Sequence, residues 1–273
     1  MLRNIKHLIL DMDGVLWHGD TPLPGFAEFF STLDDLGITF VLATNNATKI
    51  ATQYQAKLAR LGATVTARQI LTSAEATADF LSQQYPAGTA VFIIGEDGLH
   101  QSLTAKGFNP LTPKAVYEGQ TAPLVVLGFT RHVIYNDLAM GALLVNNGAR
   151  FIGTNPDPSF PSEIGRLPGA GALMAVISTA TGVQPTIVGK PEPVIFQTAM
   201  QRLGGLPHNT AMVGDRLTTD ILGGQRAGIG TILLMSGVTD PATLAASDIQ
   251  PDLTFSGIDT LAVALRQAVL QKE

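Results

Sequence analysis

Asp11 and Asp13 stand one residue apart where the apolar run Leu8-Ile9-Leu10 stops, just before Gly14. A short continuous apolar run ending at a turn residue predicts a strand buried on both faces. In open α/β sheets ligands bind beyond the carboxyl ends of such strands. Two carboxylates at that edge are costly unless positive charge joins them. Three further apolar runs end in polar groups. Ile38–Ala43 is followed by Thr44, Asn45 and Asn46, Thr186-Ile187-Val188 by Lys190, and Ala211-Met212-Val213 by Asp215 and Asp220. Several carboxylates in one place demand a cation. An all-oxygen donor set without His or Cys suits a hard one, Mg²⁺ above all when a phosphate supplies another oxygen.

The remaining groups fit an anion. Thr44 to Asn46 are expected to precede a helix, whose N–H groups bind phosphate. Lys190 lies just before a predicted helix, where the dipole disfavours a cation. A residue that breaks a local rule is a site candidate. The phosphate-binding set expected is therefore Thr44, Asn45, Asn46 and Lys190, beside a metal set of Asp11, Asp13, Asp215 and Asp220. A carboxylate here can act as nucleophile and form an aspartyl phosphate that water hydrolyses. A metal lowers the repulsion between carboxylate and phosphate. The Asp two residues on can give a proton to the leaving oxygen and take one from water.

These strand ends need a sheet to gather them, and the chain supplies one. Strand, polar turn and helix recur along its length, the pattern of a parallel sheet. The chemically dense strand ends fall near the two ends of the chain. The simplest architecture is a Rossmann-like α/β core of residues 1–75 and 183–273, with a second α/β domain, 76–182, inserted. The insert carries an irregular loop, Thr154–Pro161, with three prolines. Such loops on a rigid scaffold commonly carry recognition, so Asn155, Asp157 and Phe160 are candidate substrate contacts. Gly169-Ala170-Gly171 reads as a tight helix start, and Trp17 and His18 as loop packing or a pocket wall.

Composition narrows the class. Hydrophobic residues make up 45% and charged residues 14%, which favours a packed fold over disorder. Net charge is −5 with no Lys/Arg cluster, so nucleic acid is not an expected partner. The chain has no cysteine, which excludes disulfides and thiolate chemistry. The first residues lack a secretory h-region and no apolar run approaches a membrane span, so the expectation is a cytoplasmic protein with no membrane partner. A calcium loop starting at Asp11 fails, because it needs Gly at its sixth position and Glu at its twelfth, where Leu16 and Pro22 stand. A receiver-type phosphoprotein switch also phosphorylates an Asp at a strand end, but it needs one short domain and leaves the insert unexplained.

Asp11-Met12-Asp13-Gly14-Val15, Thr44, Lys190 and Gly214-Asp215 with Asp220 resemble, in order and spacing, the four motifs of the haloacid dehalogenase superfamily. Thr44-Asn45-Asn46, Thr154-Asn155-Pro156-Asp157 and Gly189-Lys190-Pro191-Glu192-Pro193 are similar to its NagD/4-nitrophenylphosphatase-type group. The resemblance implies a phosphatase with an inserted α/β cap, Asp11 as nucleophile and Asp13 as general acid/base. Thr44 and Lys190 complete the catalytic set. It implies Mg²⁺ held by the Asp11 side chain, the Asp13 carbonyl and Asp215, with Asp220 in support. The substrate implied is a small phosphorylated metabolite such as a nucleotide monophosphate or sugar phosphate, with p-nitrophenyl phosphate turned over in vitro. Pyridoxal-phosphate members place a cap His on substrate; the matching position here is Phe160. A phosphomutase of the same superfamily is the rival reading. A homodimer formed through the cap stays open as a further partner.

Overall fold

A computed structural model describes residues 1–162 and 164–270. The chain divides into two compact units. The first comprises Met1–Thr44, Ala51–Leu71 and the chain from Lys190 onward; the second comprises Asn45–Ile50 and Thr72–Gly189.

The first unit is built on a six-stranded sheet. Its strands run, in spatial order, Leu253–Phe255, Gly230–Leu234, Thr210–Gly214, His7–Leu10, Thr39–Thr44 and Ile70–Thr72. The His7–Leu10 strand is central and pairs in parallel with Thr210–Gly214 on one side and Thr39–Thr44 on the other. Leu8, Ile9 and Leu10 are all fully buried. Alternation sends Leu8 and Leu10 to one face and Ile9 to the other, so both faces of this strand are covered. Each such side chain contributes about 1.5–3 kcal/mol by its burial.

The helices supply that cover. In the helix Phe26–Asp35, Phe26, Phe29, Phe30 and Leu33 are buried, an apolar stripe at helical spacing. Ile258, Leu261, Ala262 and Leu265 make the matching stripe on Ile258–Leu270, and the two helices pack together. They close up at Gly25, whose φ of 77° suits glycine, and any Cβ there would stand 2.8 Å from the Asp259 Cβ. Leu8, Leu10, Phe29, Leu33 and Leu265 share one core. The helix Pro193–Leu203 packs on His7–Leu10 and Thr39–Thr44.

The second unit carries its own sheet. Its five strands are, in order, Thr186–Ile187, Arg150–Gly153, Leu124–Leu127, Ala90–Ile94 and Asn109–Leu111, and every pair is parallel. Phe92, Val125, Leu127, Phe151, Met174 and Ile177 form its core. Thr186 and Ile187, expected in the first unit as part of 183–273, instead pair with Ile152 and Gly153. A two-residue apolar strand has no signature of which sheet it will join. At the other junction the main segment of this unit begins at Thr72, not at residue 76, and Asn45–Ile50, expected in the core as part of 1–75, belongs to this unit as well.

The stretch Thr154–Pro161, expected as one irregular loop, is irregular only to Pro158. Ser159–Ser162 is a strand paired antiparallel with Gly165–Pro168. Residue 163 and residues 271–273 of the expected core lie outside the described residues. Among the described residues no helix is long and apolar enough to cross a membrane.

Candidate active site

Asp11 leaves the central strand with its N–H still bonded to Val213 O at 2.9 Å, so the neighbouring strand fixes where its side chain starts. Lys190 is buried, 2% exposed. Its Nζ donates to Asp11 Oδ1 at 2.5 Å and to Ala43 O at 3.1 Å, and stands 2.7 Å from Asp220 Oδ1. Burial alone would lower the ammonium's pKa, but Asp11 and Asp220 outweigh it and hold the group above the ordinary lysine range. Three oxygens thus explain a cation next to the start of the helix Pro193–Leu203. Burial pushes the Asp11 carboxyl well up, Lys190 opposes this, and Asp220 and Asp215 add to it.

Asp215 follows the Thr210–Gly214 strand. Its Oδ2 accepts from Val238 N at 2.7 Å, while Oδ1 is buried without a hydrogen-bond partner among the described residues. Burial first, then the Asp220 charge, raises its pKa to about 6. Asp220 is fully buried and its Oδ2 accepts from Arg216 N at 3.1 Å. It sits in a π-helical turn, Leu217–Ile221. The wider turn is a known device for placing a functional side chain.

One carboxylate oxygen each from Asp11, Asp215 and Asp220 lie within 4.8 Å of one another. Three glycines leave room for them. A Cβ on Gly14 or Gly237 would collide with Asp215 Oδ2, and one on Gly214 with the Asp220 side chain. Gly14 also has φ +81°, so a substitution there is strained twice over. An orphaned buried oxygen, an all-oxygen donor set and this spacing fit a small hard cation such as Mg²⁺. The Asp13 carboxyl is not part of the three-carboxylate group. It is exposed, and its Oδ1 accepts from Trp17 Nε1 at 2.8 Å. A metal contact from Asp13 is left to its carbonyl.

Thr44 ends its strand buried. Tyr54, from the helix Ala51–Leu61, is buried, with its side chain beside that of Thr44. Burial first, then the Asp13 charge, pushes the Tyr54 phenol above its ordinary range. The helix expected directly after Asn46 starts only at Ala51. Asn46 Oδ1 accepts from Thr48 N at 2.9 Å and Thr48 Oγ1 at 2.8 Å, a local turn that competes with helix. Thr44, Asn45 and Asn46 are therefore not at a helix end, and the expected helix-terminal anion site does not form there.

In the second unit, Asn155 and Asp157 are brought together with Asn45. Asn155 Nδ2 donates to Asn45 O at 2.8 Å, Asn45 Nδ2 to Asp157 Oδ2 at 3.2 Å, and Asp157 N to Asn155 Oδ1 at 3.1 Å. Gly169 and Gly171 let the helix Ala170–Thr181 start against this loop, since a Cβ on either would strike Asp157 O or Pro156 O. Phe160 stacks edge-on against Phe129 with ring centroids 4.6 Å apart, and the Arg131 guanidinium lies 5.0 Å from the Phe129 ring.

The sequence offered no role for Tyr54, Gly237 or Val238, and for Trp17 only loop packing or a pocket wall. A Gly three residues after an apolar strand is a weak cue for a close approach, and Gly237 after Gly230–Leu234 is such a case.

Fold and clustered carboxylates together define an α/β enzyme of phosphoester chemistry. A haloacid dehalogenase-like hydrolase model matches residues 8–109 and an HAD-hydrolase-like model residues 187–261. The chain is 37% identical to an acid sugar phosphatase of Staphylococcus saprophyticus over 94% of this chain and 97% of that one. It is 38% identical to the 5'-nucleotidase YutF of Bacillus subtilis, over 87% and 90%. The solved 4-nitrophenylphosphatase of Thermotoga maritima superposes with a TM-score of 0.90 at 35% identity, covering 97% of this chain and 98% of that one. The chain belongs to the haloacid dehalogenase superfamily, as a phosphatase of its NagD/4-nitrophenylphosphatase-type group.

Proposed function

We propose that this phosphatase hydrolyses small phosphomonoesters, sugar phosphates or nucleotide monophosphates, through an aspartyl phosphate on Asp11 and with Mg²⁺ in the carboxylate cluster. The observation that carries the reading is the group of buried Lys190, Asp215 and Asp220 with half-buried Asp11, one oxygen of Asp215 having no hydrogen-bond partner among the described residues. The printed names of the staphylococcal and Bacillus relatives support the two substrate classes.

In this reading Asp11 attacks phosphorus, the ester bond breaks, and Asp13 delivers a proton to the departing oxygen. Water then attacks the same phosphorus, the bond to Asp11 breaks, and Asp13 takes the proton from water. Asp11, Asp215 and Asp220 would hold Mg²⁺, with the Asp13 carbonyl. Bound there, it supplies positive charge that offsets repulsion between carboxylate and phosphate. Lys190 fixes the Asp11 carboxyl and adds a charge of its own. Thr44, with Asn45 and Asn46, is assigned to the phosphate. Phosphate release from a panel of sugar phosphates and nucleotides, with and without Mg²⁺, tests the proposal; no release from any ester sinks it.

Exhaustive chelation is expected to abolish turnover, and Mg²⁺ to restore it where Ca²⁺ does so poorly, because Ca²⁺ takes more and longer contacts. Chelation also has a stability readout. Asp215 is raised in the folded protein to about 6. The stability that comes with its protonation is full below the unfolded carboxylate pKa and is lost as pH rises through about 6. The rise in melting temperature on adding Mg²⁺ should therefore be larger at pH 7.5 than at pH 5. Equal rises at both, or full activity under chelation, would remove the cation from this cluster.

The second unit is assigned the part of the substrate beyond the phosphate, through Asn155, Asp157 and Phe160. Asn155 is buried in the turn that holds Asn45, so its truncation is expected to cost stability as well. Phe160→Ala is the cleaner probe. It should change the ranking of esters by kcat/KM several-fold while leaving p-nitrophenyl phosphate nearly unaffected. One common factor across all esters would make Phe160 a packing residue only.

A further inference from the structure

We infer that Trp17 is a positioning residue for Asp13, using its indole N–H to fix the carboxyl that exchanges the proton, with Lys57 behind it. The inference rests on Asp13 being the acid and base of the reading above.

The indole of Trp17 is completely buried, yet its one polar atom is directed at an exposed carboxylate, with Nε1 2.8 Å from Asp13 Oδ1. An indole N–H can only donate. It therefore engages Oδ1 as an acceptor and leaves Oδ2 as the oxygen that can carry the proton. The backbone holds the pair in place: Asp13 and Trp17 form a β-bridge, and Gly14 N donates to Trp17 O at 2.9 Å across the turn. The short hairpin of Trp17–His18 with Thr21–Pro22 continues from it.

The ring's outer face is covered by a cation. Lys57 Nζ lies 4.2 Å from the Trp17 ring, held by Gly19 O at 2.5 Å and 3.7 Å from Asp20 Oδ1. A cation over the indole face draws electron density from the ring, which makes the N–H a stronger donor. The order Lys57, Trp17, Asp13 thus runs from a helix of the first unit to the acid. A packing role alone requires neither the aligned N–H nor the charge over the ring.

The test uses a series of ring-substituted phenyl phosphates, alike in shape and graded in the acidity of the departing phenol. Its readout is the slope of log kcat/KM against that acidity. A general acid flattens the slope, because esters with poor leaving groups depend on it most. Asp13→Asn is the reference and should steepen the slope. Trp17→Phe keeps the ring and leaves no orphaned donor. It should steepen the slope in the same sense, costing the poorest leaving group at least tenfold and p-nitrophenyl phosphate less than threefold. Lys57→Met keeps the apolar stem and should act in the same sense more weakly; it carries the test if Trp17→Phe does not fold. A steep slope for Asp13→Asn with native slopes for both other variants overturns the inference alone. A native slope for Asp13→Asn overturns the assignment of Asp13 and the inference with it.

Discussion

Asp11→Asn should leave less than a thousandth of native kcat on p-nitrophenyl phosphate, a loss of about 4 kcal/mol or more in transition-state stabilisation. An amide oxygen is a poor nucleophile toward phosphorus, and it carries no charge with which to hold a cation. The substitution is close in shape, and Lys190 keeps both Asp220 at 2.7 Å and Ala43 O at 3.1 Å. Folding should therefore survive, and loss of turnover can be read as loss of chemistry. Burial and the neighbouring acids raise the Asp11 pKa, so the neutral amide also relieves repulsion in the metal-free protein. Its melting temperature under chelation should be no lower than native. The measurement is phosphate release beside a thermal melt. Retention of more than a tenth of native kcat, a change within about 1.4 kcal/mol, would take the nucleophile's role from Asp11.

Lys190→Met should be as damaging to turnover and far more so to stability. The residue is 2% exposed and serves two carboxylates at once, the buried Asp220 and the half-buried Asp11. Removing one partner of a buried ion pair leaves uncompensated charge and costs about 3–5 kcal/mol. At this chain length that lowers the transition of the first unit by roughly 10 °C. Neutralising a partner should return part of the loss: Lys190→Met with Asp220→Asn should melt above Lys190→Met alone while remaining inactive. The double-mutant cycle isolates the coupling from packing. Additive effects, or a Lys190→Met protein with native turnover, would make Lys190 an ordinary buried lysine.

The sequence by itself determined the strands and the chemistry at their ends. Leu8-Ile9-Leu10, Ile38–Ala43 and Ala211-Met212-Val213 are apolar enough to be buried on both faces, and a parallel sheet brings all their carboxyl ends to one edge. Because Thr210–Gly214, His7–Leu10 and Thr39–Thr44 are neighbours in the sheet, Asp215, Asp11 and Thr44 are neighbours too. Residue types and spacing were sufficient for the convergence at one edge; which strands lie side by side was not legible in them.

Tertiary structure decided what depends on close approach between distant segments. Which sheet Thr186–Ile187 joins is set by Ile152 and Gly153, its register partners there, and not by its own two residues. The helix after Thr44 is delayed to Ala51 because the Asn46 side chain captures Thr48, a competition of a kind helix periodicity does not register. Space for Asp215 comes from Gly14 and Gly237, which lie far apart in the chain. The bond from Trp17 to Asp13 depends on a tight turn at a glycine with positive φ. Apolar periodicity reports which faces are buried; the aim of a single N–H or carboxylate is fixed only when the surrounding chain has packed.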